Sequence, residues 1–313
     1  MISFIVIGMN EAKTIGLTIK SIKSYISYNE ISEYEIIYID SRSTDNSIEI
    51  VKKFKNVKIF QIRGDMNAAI ARNIGAVEAK GEIFIFLDGD MEIQKEFHKI
   101  AFNEKGLIYP FISGQLKNIF YNDKWSKIDE NLHFPKLKKD SFYPETGGFF
   151  MIERNLWFLV GGMKTKYRRS QDIDLALRLA KRGTLLLRKK ELFIIHHTIN
   201  YLDKRRVWKM LFNGSLLFQT SVMIRDHIFN PHIYKKFLRT SYTLIVLLIS
   251  TIFGLFLSPY FLLIHPIVVG VKILMIRKPI ELFIYYYLRD IFSFLGLFLF
   301  FPKEKKLIYT LIK

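Results

Sequence analysis

Residues 83–90 read Ile-Phe-Ile-Phe-Leu-Asp-Gly-Asp, an apolar run that ends abruptly in two carboxylates. The apolar run predicts a strand that is buried on both faces. Asp88 and Asp90 would then lie at the end of that strand, and ligands of open α/β sheets bind in the crevice beyond such ends. Carboxylates suit a hard cation such as Mg²⁺ or Mn²⁺, which would in turn hold a diphosphate. Taken alone, the triplet is equally typical of a polar turn.

Strands and helices alternate on the N-terminal side of this stretch. Strands are predicted at Ile2–Ile7, Glu35–Ile39 and Val57–Ile62, and helices at about Ala12–Tyr25, after Ser47 to about Phe54, and at Ala68–Ala79. This alternation predicts right-handed βαβ units and a parallel sheet. The first strand-to-helix turn has no G-x-G-x-x-G pattern, which argues against a dinucleotide-binding domain.

A second acidic strand end is predicted at Asp40. Parallel strands present their carboxyl ends on one side, so Asp40 should share an edge with Asp88 and Asp90. Asp40 would reach a base or ribose while Asp90 holds the metal. The alternative is that Asp40 caps the next helix.

The chain beyond residue 90 carries three further polar groups of interest. Residues 95–145 are less regular, and Thr146-Gly147-Gly148 then leads into a strand, with glycines that allow close backbone approach to a ligand. Gln171-Asp172-Ile173-Asp174 opens a helix, and one of its two Asp residues is expected to face a site. His196-His197 follows a predicted strand over 185–195. Two adjacent His residues cannot face the same way, so one is predicted to bind the metal or a phosphate, and which one is left open.

Composition limits the classes of partner. The 313 residues carry a formal net charge of +18 and no Cys, which excludes disulfides and thiolate metal sites. This charge predicts a polyanionic partner: nucleic acid, an anionic membrane or a phosphorylated substrate. Much of the basic charge lies beside apolar runs, so nucleic acid is the weakest of the three. The first residues lack a basic n-region, and no signal peptide is expected.

The C-terminal third predicts membrane association. Residues 203–241 hold eight Lys or Arg against two Asp, which favours a basic segment on an anionic membrane surface. Residues 242–271 contain no charged residue, and about 242–276 is predicted to form a hairpin, spanning or partly inserted, that returns at Arg277-Lys278 to the side of Arg239. A re-entrant or interfacial helix is expected at about 280–301, because Glu281, Arg289 and Asp290 would be costly in mid-span.

The order and spacing of these motifs resemble family-2 glycosyltransferases of GT-A fold over about residues 1–200. The motifs are Asn10-Glu11, Asp40, Ala71-Arg72-Asn73-x-Gly75, Asp88-x-Asp90, Thr146-Gly147-Gly148 and Gln171-Asp172. The family has Glu-Asp at the last pair, so Gln171 is a departure. Arg205-Arg206-Val207-Trp208 does not match the Q-x-x-R-W of processive synthases, which weakens a polymer-synthase interpretation.

The resemblance implies a role for each motif. Asn10, Glu11, Asp40, Arg72 and Asp88 would bind the nucleotide sugar, most simply a UDP-sugar. Asp90 would bind Mg²⁺ or Mn²⁺, and His196 or His197, predicted above from its place in the strand, would join it. Thr146, Gly147, Gly148 and Gln171 would border donor and acceptor, and Asp172 would be the catalytic base of an inverting displacement.

These expectations define a domain plan and a function. A GT-A domain at 1–202 would precede a surface segment at 203–241 and membrane helices at 242–313. The enzyme would act at the cytoplasmic face of the inner or plasma membrane, on a glycan or lipid-linked acceptor in cell-surface polysaccharide synthesis. A polyprenyl-phosphate sugar transferase and an inactive nucleotide-sugar-binding scaffold are the alternatives. The sequence leaves the sugar and any homo-oligomer open.

Overall fold

The computed structural model describes residues 1–199, 218–275, 280 and 282–313. The chain divides into two compact units. The sheet unit consists of Met1–Lys166, the described part of Gln171–Tyr201, and Glu304–Lys313. The helical unit consists of Tyr167–Ser170 and the described part of Leu202–Lys303. Two predicted features, Arg205-Arg206-Val207-Trp208 and the return at Arg277-Lys278, lie outside the described residues.

The sheet unit alternates strands and helices over its first half and is mostly strand in its second. Its elements are β1 (Ile2–Gly8), α1 (Ile15–Tyr28), β2 (Tyr34–Asp40), α2 (Ser47–Lys52), β3 (Val57–Ile62), α3 (Ala68–Glu78), β4 (Ile83–Asp88), β5 (Met91–Ile93), a 3₁₀ turn (Lys95–Phe97), α4 (His98–Ala101), β6 (Phe102–Asn103), β7 (Gly106–Leu107), β8 (Phe111–Tyr121), β9 (Lys127–Leu132), β10 (Ser141–Tyr143), β11 (Phe150–Glu153), α5 (Arg154–Leu159), α6 (Gln171–Lys181), β12 (Leu186–Ile199) and β13 (Tyr309–Leu311). The predicted βαβ alternation up to residue 90 is therefore present.

Eleven of the described strands form one mixed sheet. Its order is β10-β12-β8-β11-β4-β1-β2-β3-β13, with β5 paired to β12 and β9 paired to β8. The central strands β4, β1, β2 and β3 are parallel, whereas β11 is antiparallel to both β4 and β8. The parallel centre places the carboxyl ends of β1, β2 and β4 at one edge.

Apolar layers cover both faces of the parallel centre. Side chains alternate along a strand, so Phe4 packs with the α1 side and Ile5 packs with the α3 side. Burial on both faces explains why these strands are apolar without interruption. Gly75 of α3 sits so close to β1 that a Cβ there would lie 2.2 Å from Ile5 Cγ2. The helix therefore packs tightly against the strand that leads to the candidate site.

The structure is more regular over 95–145 than the sequence indicates. This region contributes β8, an eleven-residue strand that pairs in parallel with β12. Polar residues and Gly114 interrupt the apolar pattern of β8, and a Cβ at Gly114 would lie 2.2 Å from the Phe193 ring. The strand predicted at 185–195 extends to Ile199, so His196 and His197 lie within a strand rather than after it.

The last residues of the chain differ most from the predicted domain plan. Instead of belonging to the apolar helices, Glu304–Lys313 lies with the sheet unit, where β13 pairs antiparallel with β3. Tyr309 Oη donates to Glu78 Oε1 at 2.6 Å, and Thr165 N donates to Glu304 Oε2 at 2.6 Å. Three residues of strand carry too short a pattern to be recognised in the sequence.

The described part of the helical unit contains five α-helices. These are α7 (Gln219–His227), α8 (Pro231–Thr240), α9 (Tyr242–Phe256), α10 (Ile264–Met275) and α11 (Leu282–Leu299), with a 3₁₀ turn at Pro259–Leu263. Within the described residues, one helix is long and apolar enough to cross a membrane, namely α11 with 18 residues. The α8 and α9 pair passes the same test only when joined across an 85° bend.

Candidate active site

Three strand ends bring the predicted acidic residues together. In the sheet register Gly8 of β1 pairs with Asp40 of β2, and Ile7 pairs with Asp88 of β4. The end of β1 thus lies between the two carboxylates. A cavity of about 390 Å³ opens here, and its lining includes Gly8, Glu11, Arg72, Asp88 and Asp90 together with Ile7, Met9, Ser41, Met66, Asn67 and Ala68. Pockets of this size accommodate small-molecule ligands.

Asp88 is held by Arg72. The guanidinium Nη2 of Arg72, which is buried in α3, lies 2.5 Å from Asp88 Oδ1 and donates a second bond of 3.1 Å to the Gly148 carbonyl. Burial raises the pKa of Asp88 despite the opposing charge of Arg72, and the carboxylate of Asp90 adds to the increase. A Cβ at Gly148 would lie 2.3 Å from Asp88 Oδ2. Glycine is therefore needed at 148 for the backbone to approach Asp88.

Asp90 contacts His196. Its Oδ2 lies 3.1 Å from His196 Nε2, while His196 Nδ1 lies 3.0 Å from Asn118 Oδ1. Burial lowers the pKa of His196, but the hydrogen bond and charge of Asp90 outweigh it and raise the pKa overall. Asp90 Oδ1 is buried without a hydrogen-bond partner. Since buried polar atoms are normally paired, this oxygen marks a place for a ligand.

His197 lies on the other face of β12. Its Nε2 is hydrogen-bonded to Glu92, and its Nδ1 lies 2.9 Å from Tyr121 Oη. The adjacent backbone N–H of His197 donates to the Asp90 carbonyl at 2.8 Å. The structure therefore brings the His196 ring to the Asp90 carboxylate and the His197 ring to Glu92 and Tyr121.

Glu11 adds a third carboxylate to this edge. Burial and the charges of Asp90 and Asp88 raise the pKa of Glu11 to about 7. The neighbouring Asn10 has a φ of 61°, a left-handed conformation that Asn tolerates. Asn10 Oδ1 accepts from Thr44 N at 2.7 Å, and Glu11 N donates to Ser47 Oγ at 2.8 Å. These bonds fix the loop after β1 against the loop after β2.

Asp40 is fully buried at the end of β2. Its carboxylate accepts hydrogen bonds from Ser43 N at 2.9 Å, Gln61 Nε2 at 3.1 Å and Tyr38 Oη at 3.2 Å. The Ser43 contact lies in the turn before α2, whose N-cap is Asn46, so Asp40 does not cap that helix as the alternative predicted. A contact between Asp40 and a nucleotide stays a prediction.

The edge carries an excess of negative charge that suits a divalent cation. The described residues contain no group of three His, Cys, Asp or Glu side chains arranged to hold a metal ion by themselves. Asp90 and His196 fit as a partial set, because Asp90 has a buried oxygen without a partner. Divalent cations in such sites keep open positions for phosphate and water.

The remaining predicted site residues lie at the start of α6 and before β11. Thr146 is mostly buried, and its Oγ1 has no hydrogen-bond partner. The helix begins at Gln171, which is buried, and Asp172 is partly exposed in its first turn. Asp174 is fully buried and forms a 2.7 Å ion pair with Arg178 Nη2. Gly147 has open space around its Cα.

Sequence reasoning missed several residues that shape the site. Asn118 lies in the unrecognised strand β8 and contacts His196 Nδ1. Asn67 caps α3 by accepting from Ile70 N at 2.9 Å and donates to the Thr165 carbonyl at 2.8 Å. An Asn directly before an Ala-rich helix is a recognisable capping signal. Arg178 binds the carbonyls of Val160 and Gly162, and no sequence pattern indicates that contact.

The parallel strand ends, the cavity and the acidic edge define an α/β fold with a ligand crevice at the carboxyl ends of its strands. The sequence profile of the family described as Glycosyl transferase family 2 matches residues 3–171, more than half of the chain. The chain belongs to that family.

Curated relatives support the class over shorter stretches. A cholesterol galactosyltransferase of Borreliella burgdorferi is 32% identical over 106 residues, which cover 33% of this chain and 28% of the relative. The UDP-Glc:alpha-D-GlcNAc-diphosphoundecaprenol beta-1,3-glucosyltransferase WfaP of Escherichia coli is 37% identical over 92 residues, covering 29% of this chain and 35% of the relative. The chain thus matches about a third or less of the length of each.

One of two similar solved structures shares the fold. GalNAc-T7 with UDP, GalNAc and Mn²⁺ gives a TM-score of 0.50 at 18% identity, covering 63% of this chain and 44% of that one. Residues 1–349 of TarS from Staphylococcus aureus give a TM-score of 0.48 at 17% identity, covering 63% of this chain and 60% of the other. The former likeness supports the GT-A assignment of the sheet unit.

Proposed function

We propose that this protein is a membrane-associated, metal-dependent, inverting glycosyltransferase. It moves a sugar from a UDP-sugar to a glycan or lipid-linked acceptor at the cytoplasmic face of the plasma or inner membrane. The observation that carries the proposal is the buried, unpartnered Oδ1 of Asp90 beside a cavity lined by Glu11 and Asp88. A metal-bound diphosphate would supply the positive charge and the oxygen ligands that this edge lacks.

Asp90 and His196 are the proposed metal ligands. With Nδ1–H donated to Asn118 Oδ1, the Nε2 lone pair of His196 is directed toward the side on which Asp90 lies. Such a hydrogen bond fixes the ring and its tautomer. When bound, Mg²⁺ or Mn²⁺ would neutralise charge on the departing nucleoside diphosphate. His197, which is paired with Glu92, would hold the strand in place rather than the cation.

Donor binding is assigned to the residues around the cavity. Arg72 keeps Asp88 in one orientation through its 2.5 Å contact, so that the carboxylate can accept hydroxyl groups of the sugar. The loop of Asn10 and Glu11 would contact the nucleotide, and Asp40 would hold the turn against which the base lies. UDP is the preferred nucleotide because GalNAc-T7, which shares the fold, was solved with UDP.

Asp172 is the proposed catalytic base. A sugar hydroxyl is a weak nucleophile, and a positioned carboxylate can accept its proton as it attacks the anomeric carbon. Of the two Asp residues in the first turn of α6, Asp174 is buried in an ion pair with Arg178. Asp172 is partly exposed, which supports its choice as the group that meets the acceptor.

Membrane association is supported by the helical unit. Large apolar side chains in α9 and in the turn that follows are mostly exposed, with Phe256 at 81% and Leu255 at 77%. Soluble proteins rarely expose large apolar patches. The 18 apolar residues of α11 have a length sufficient to insert.

The function is tested with purified full-length protein in neutral detergent. A panel of UDP-, GDP- and dTDP-sugars is incubated with Mn²⁺, with Mg²⁺ or with EDTA, and nucleotide release is measured. One donor should be turned over with metal and not with EDTA. Asp90→Asn should lower turnover by about 10³-fold, since a metal contributes several kcal/mol to the transition state. Asp129→Asn, an exposed carboxylate of β9, is the matched control.

Equal turnover in EDTA would contradict metal dependence. Turnover by Asp90→Asn at the wild-type rate would place the metal site elsewhere.

A further inference from the structure

The helical unit buries a cluster of charged side chains among apolar helices. His265 and Asp290 are each 1% exposed, and Lys272 is 6% exposed. Arg289 lies next to Asp290 in α11. Ionisable residues are rarely placed inside apolar helical bundles without a function, because each costs free energy to desolvate. Nothing in the proposed sugar-transfer site uses this cluster.

Two cations of the cluster share one aromatic ring. Lys272 Nζ lies 5.4 Å from the centre of the Tyr286 ring, and the Arg289 guanidinium lies 5.0 Å from the same centre. Lys272 also lies 4.7 Å from the ring of Tyr242 and donates 3.0 Å to the Thr240 carbonyl. Rings and carbonyls orient a cation but do not neutralise its charge.

The described carboxylates of the unit do not balance the positive charge of the cluster. Asp290 pairs with Arg289 at 2.6 Å and lies 3.4 Å from His265 Nε2. The other carboxylate in the described part of this unit, Asp226, accepts from Tyr167 Oη at 2.8 Å. No described carboxylate forms an ion pair with Lys272. Among the residues that the structure describes, the cluster therefore keeps one buried positive charge without a counter-ion.

The position of the cluster indicates what would supply that counter-ion. Lys272 lies in the last turn of α10 and reaches the carbonyl of Thr240, the last residue of α8, so the end of one helix meets the junction between α8 and α9. Tyr286 is in the second turn of α11. Tyr side chains prefer the interface between lipid and water, and basic pockets between helices bind anionic lipid head groups there.

We propose that Lys272 and Arg289, framed by Tyr242 and Tyr286, bind the phosphate ester of a membrane lipid. The phosphate would accept from Lys272 Nζ and from the guanidinium edge not used by Asp290, and it would balance the excess charge. The inference rests on the proposed function insofar as a lipid-linked acceptor would present such a phosphate. Binding of the lipid phosphate is a separate event from sugar transfer and is measured without a sugar donor.

The test measures lipid binding to the full-length protein in dodecyl maltoside micelles by native mass spectrometry. The probes are a polyprenyl monophosphate, the matching polyprenol without phosphate, and phosphatidic acid, with inorganic phosphate as a competitor. We expect the polyprenyl phosphate to bind and the polyprenol not to bind. Comparable binding of phosphatidic acid would identify a general lipid-phosphate site, and weaker binding an isoprenoid-selective one.

The variants locate the site. Lys272→Gln should weaken binding of the lipid phosphate about tenfold or more, because a charge-assisted hydrogen bond is lost. Lys272→Arg should restore most of it. Lys303→Gln removes one exposed positive charge from the same unit and should leave binding unchanged. Arg289→Lys keeps the charge beside Asp290 and should weaken binding less than Lys272→Gln.

Three results would overturn the proposal. These are polyprenol binding as tight as that of the phosphate, complete displacement by millimolar inorganic phosphate, and unaltered binding by a folded Lys272→Gln protein. Failure of the donor screen with intact lipid-phosphate binding would reject the proposed sugar transfer and leave this site standing.

Discussion

The two units of this chain differ in how far they expose large apolar side chains. In the sheet unit, Phe84 and Phe86 of β4 have no exposed surface. In the helical unit, Phe256 is 81% exposed while Asp290 is 1% exposed. A water-soluble fold hides apolar groups and exposes charges. The sheet unit follows this pattern, and the exposed apolar side chains of the helical unit depart from it, which supports the proposed membrane association.

The units also differ in the sign of the charge that is left in excess at their clusters of ionisable side chains. Glu11, Asp88 and Asp90 give the sheet unit an acidic edge with an unpartnered oxygen. Lys272 gives the helical unit a buried positive charge. Each imbalance is costly in isolation, and each is relieved by a ligand of opposite sign. A cation with a diphosphate suits the first and a lipid phosphate suits the second.

The largest expected effect separates a reactive carboxylate from a structural one in the sheet unit. Asp172→Asn should slow transfer by about 10²–10⁴-fold, the usual contribution of a general base. Donor affinity, measured by calorimetry, should stay within about twofold of wild type, because the proposed base contacts the acceptor and not the donor. Asp174→Asn should instead lower the free energy of unfolding by about 3 kcal/mol, because it leaves Arg178 buried without its partner.

Reversed effects of the two variants would show that Asp174 is the base. If neither variant slows transfer, the acceptor arrives already ionised, and the polyprenyl-phosphate alternative is favoured.

The next effect tests where the boundary between the units lies. Deleting residues 304–313 removes β13 and the contact of Tyr309 with Glu78 from the sheet unit. We expect the free energy of unfolding to fall by roughly 2–4 kcal/mol, from lost strand hydrogen bonds and partly buried apolar surface. Denaturant melting followed by Trp fluorescence measures it. If the shortened protein has the same free energy of unfolding as the full-length protein, residues 304–313 do not stabilise the sheet unit, and the predicted domain plan is favoured instead.

That boundary shows what the sequence can and cannot predict. The continuous apolar strands and the Asp88-Gly89-Asp90 ending predicted the parallel centre and its acidic edge, because burial on both faces leaves a clear pattern. The return of β13 depends on contacts more than 200 residues apart in sequence, such as that between Tyr309 and Glu78. No local pattern records such a pairing. The sequence does not predict strand β8, because Gly114 and several polar residues interrupt its apolar pattern. Gly114 is needed there because a Cβ would collide with the Phe193 ring.

The candidate site also contains residues that the sequence predicts and residues that it does not. Asp88 and Asp90 were predicted together, and the contact of Asp90 with His196 agrees with the expectation that adjacent His residues face opposite ways. The orienting role of Asn118 was not predicted, because it lies in the unrecognised strand β8. Asp40 was predicted beside a nucleotide, yet its three hydrogen bonds show that the fold itself uses this carboxylate.

The third effect follows from the acidic edge of the sheet unit. The pKa of Glu11 is about 7 in the fold against 4.5 in the unfolded chain. The folded protein therefore holds a proton that the unfolded chain releases between these values. Stability of the metal-free protein should fall as pH rises from about 4.5 to 7, by up to about 3 kcal/mol.

Melting in EDTA from pH 4.5 to 8 measures this dependence, and Glu11→Gln should flatten it. Mn²⁺ should restore stability more at pH 8 than at pH 5. An equally steep decline in Glu11→Gln would assign the titration to another group.

The smallest expected effect on stability concerns the exposed apolar side chains of the helical unit. Phe256→Ala should change the free energy of unfolding in detergent by less than about 0.5 kcal/mol, because this ring has almost no protein contacts to lose. Phe86→Ala, the matched change in the sheet unit, should cost about 3–5 kcal/mol.

For membrane affinity we expect the opposite order, with the larger effect from the exposed side chains of the helical unit. Phe256→Ala together with Leu255→Ala should weaken partition of the full-length protein into phosphatidylglycerol-containing vesicles about tenfold or more, since each side chain contributes roughly 1.5–3 kcal/mol when it leaves water. Flotation on a density gradient measures this. Undiminished flotation would mean that these side chains face water or another protein, and the contrast between the units would then concern assembly rather than lipid.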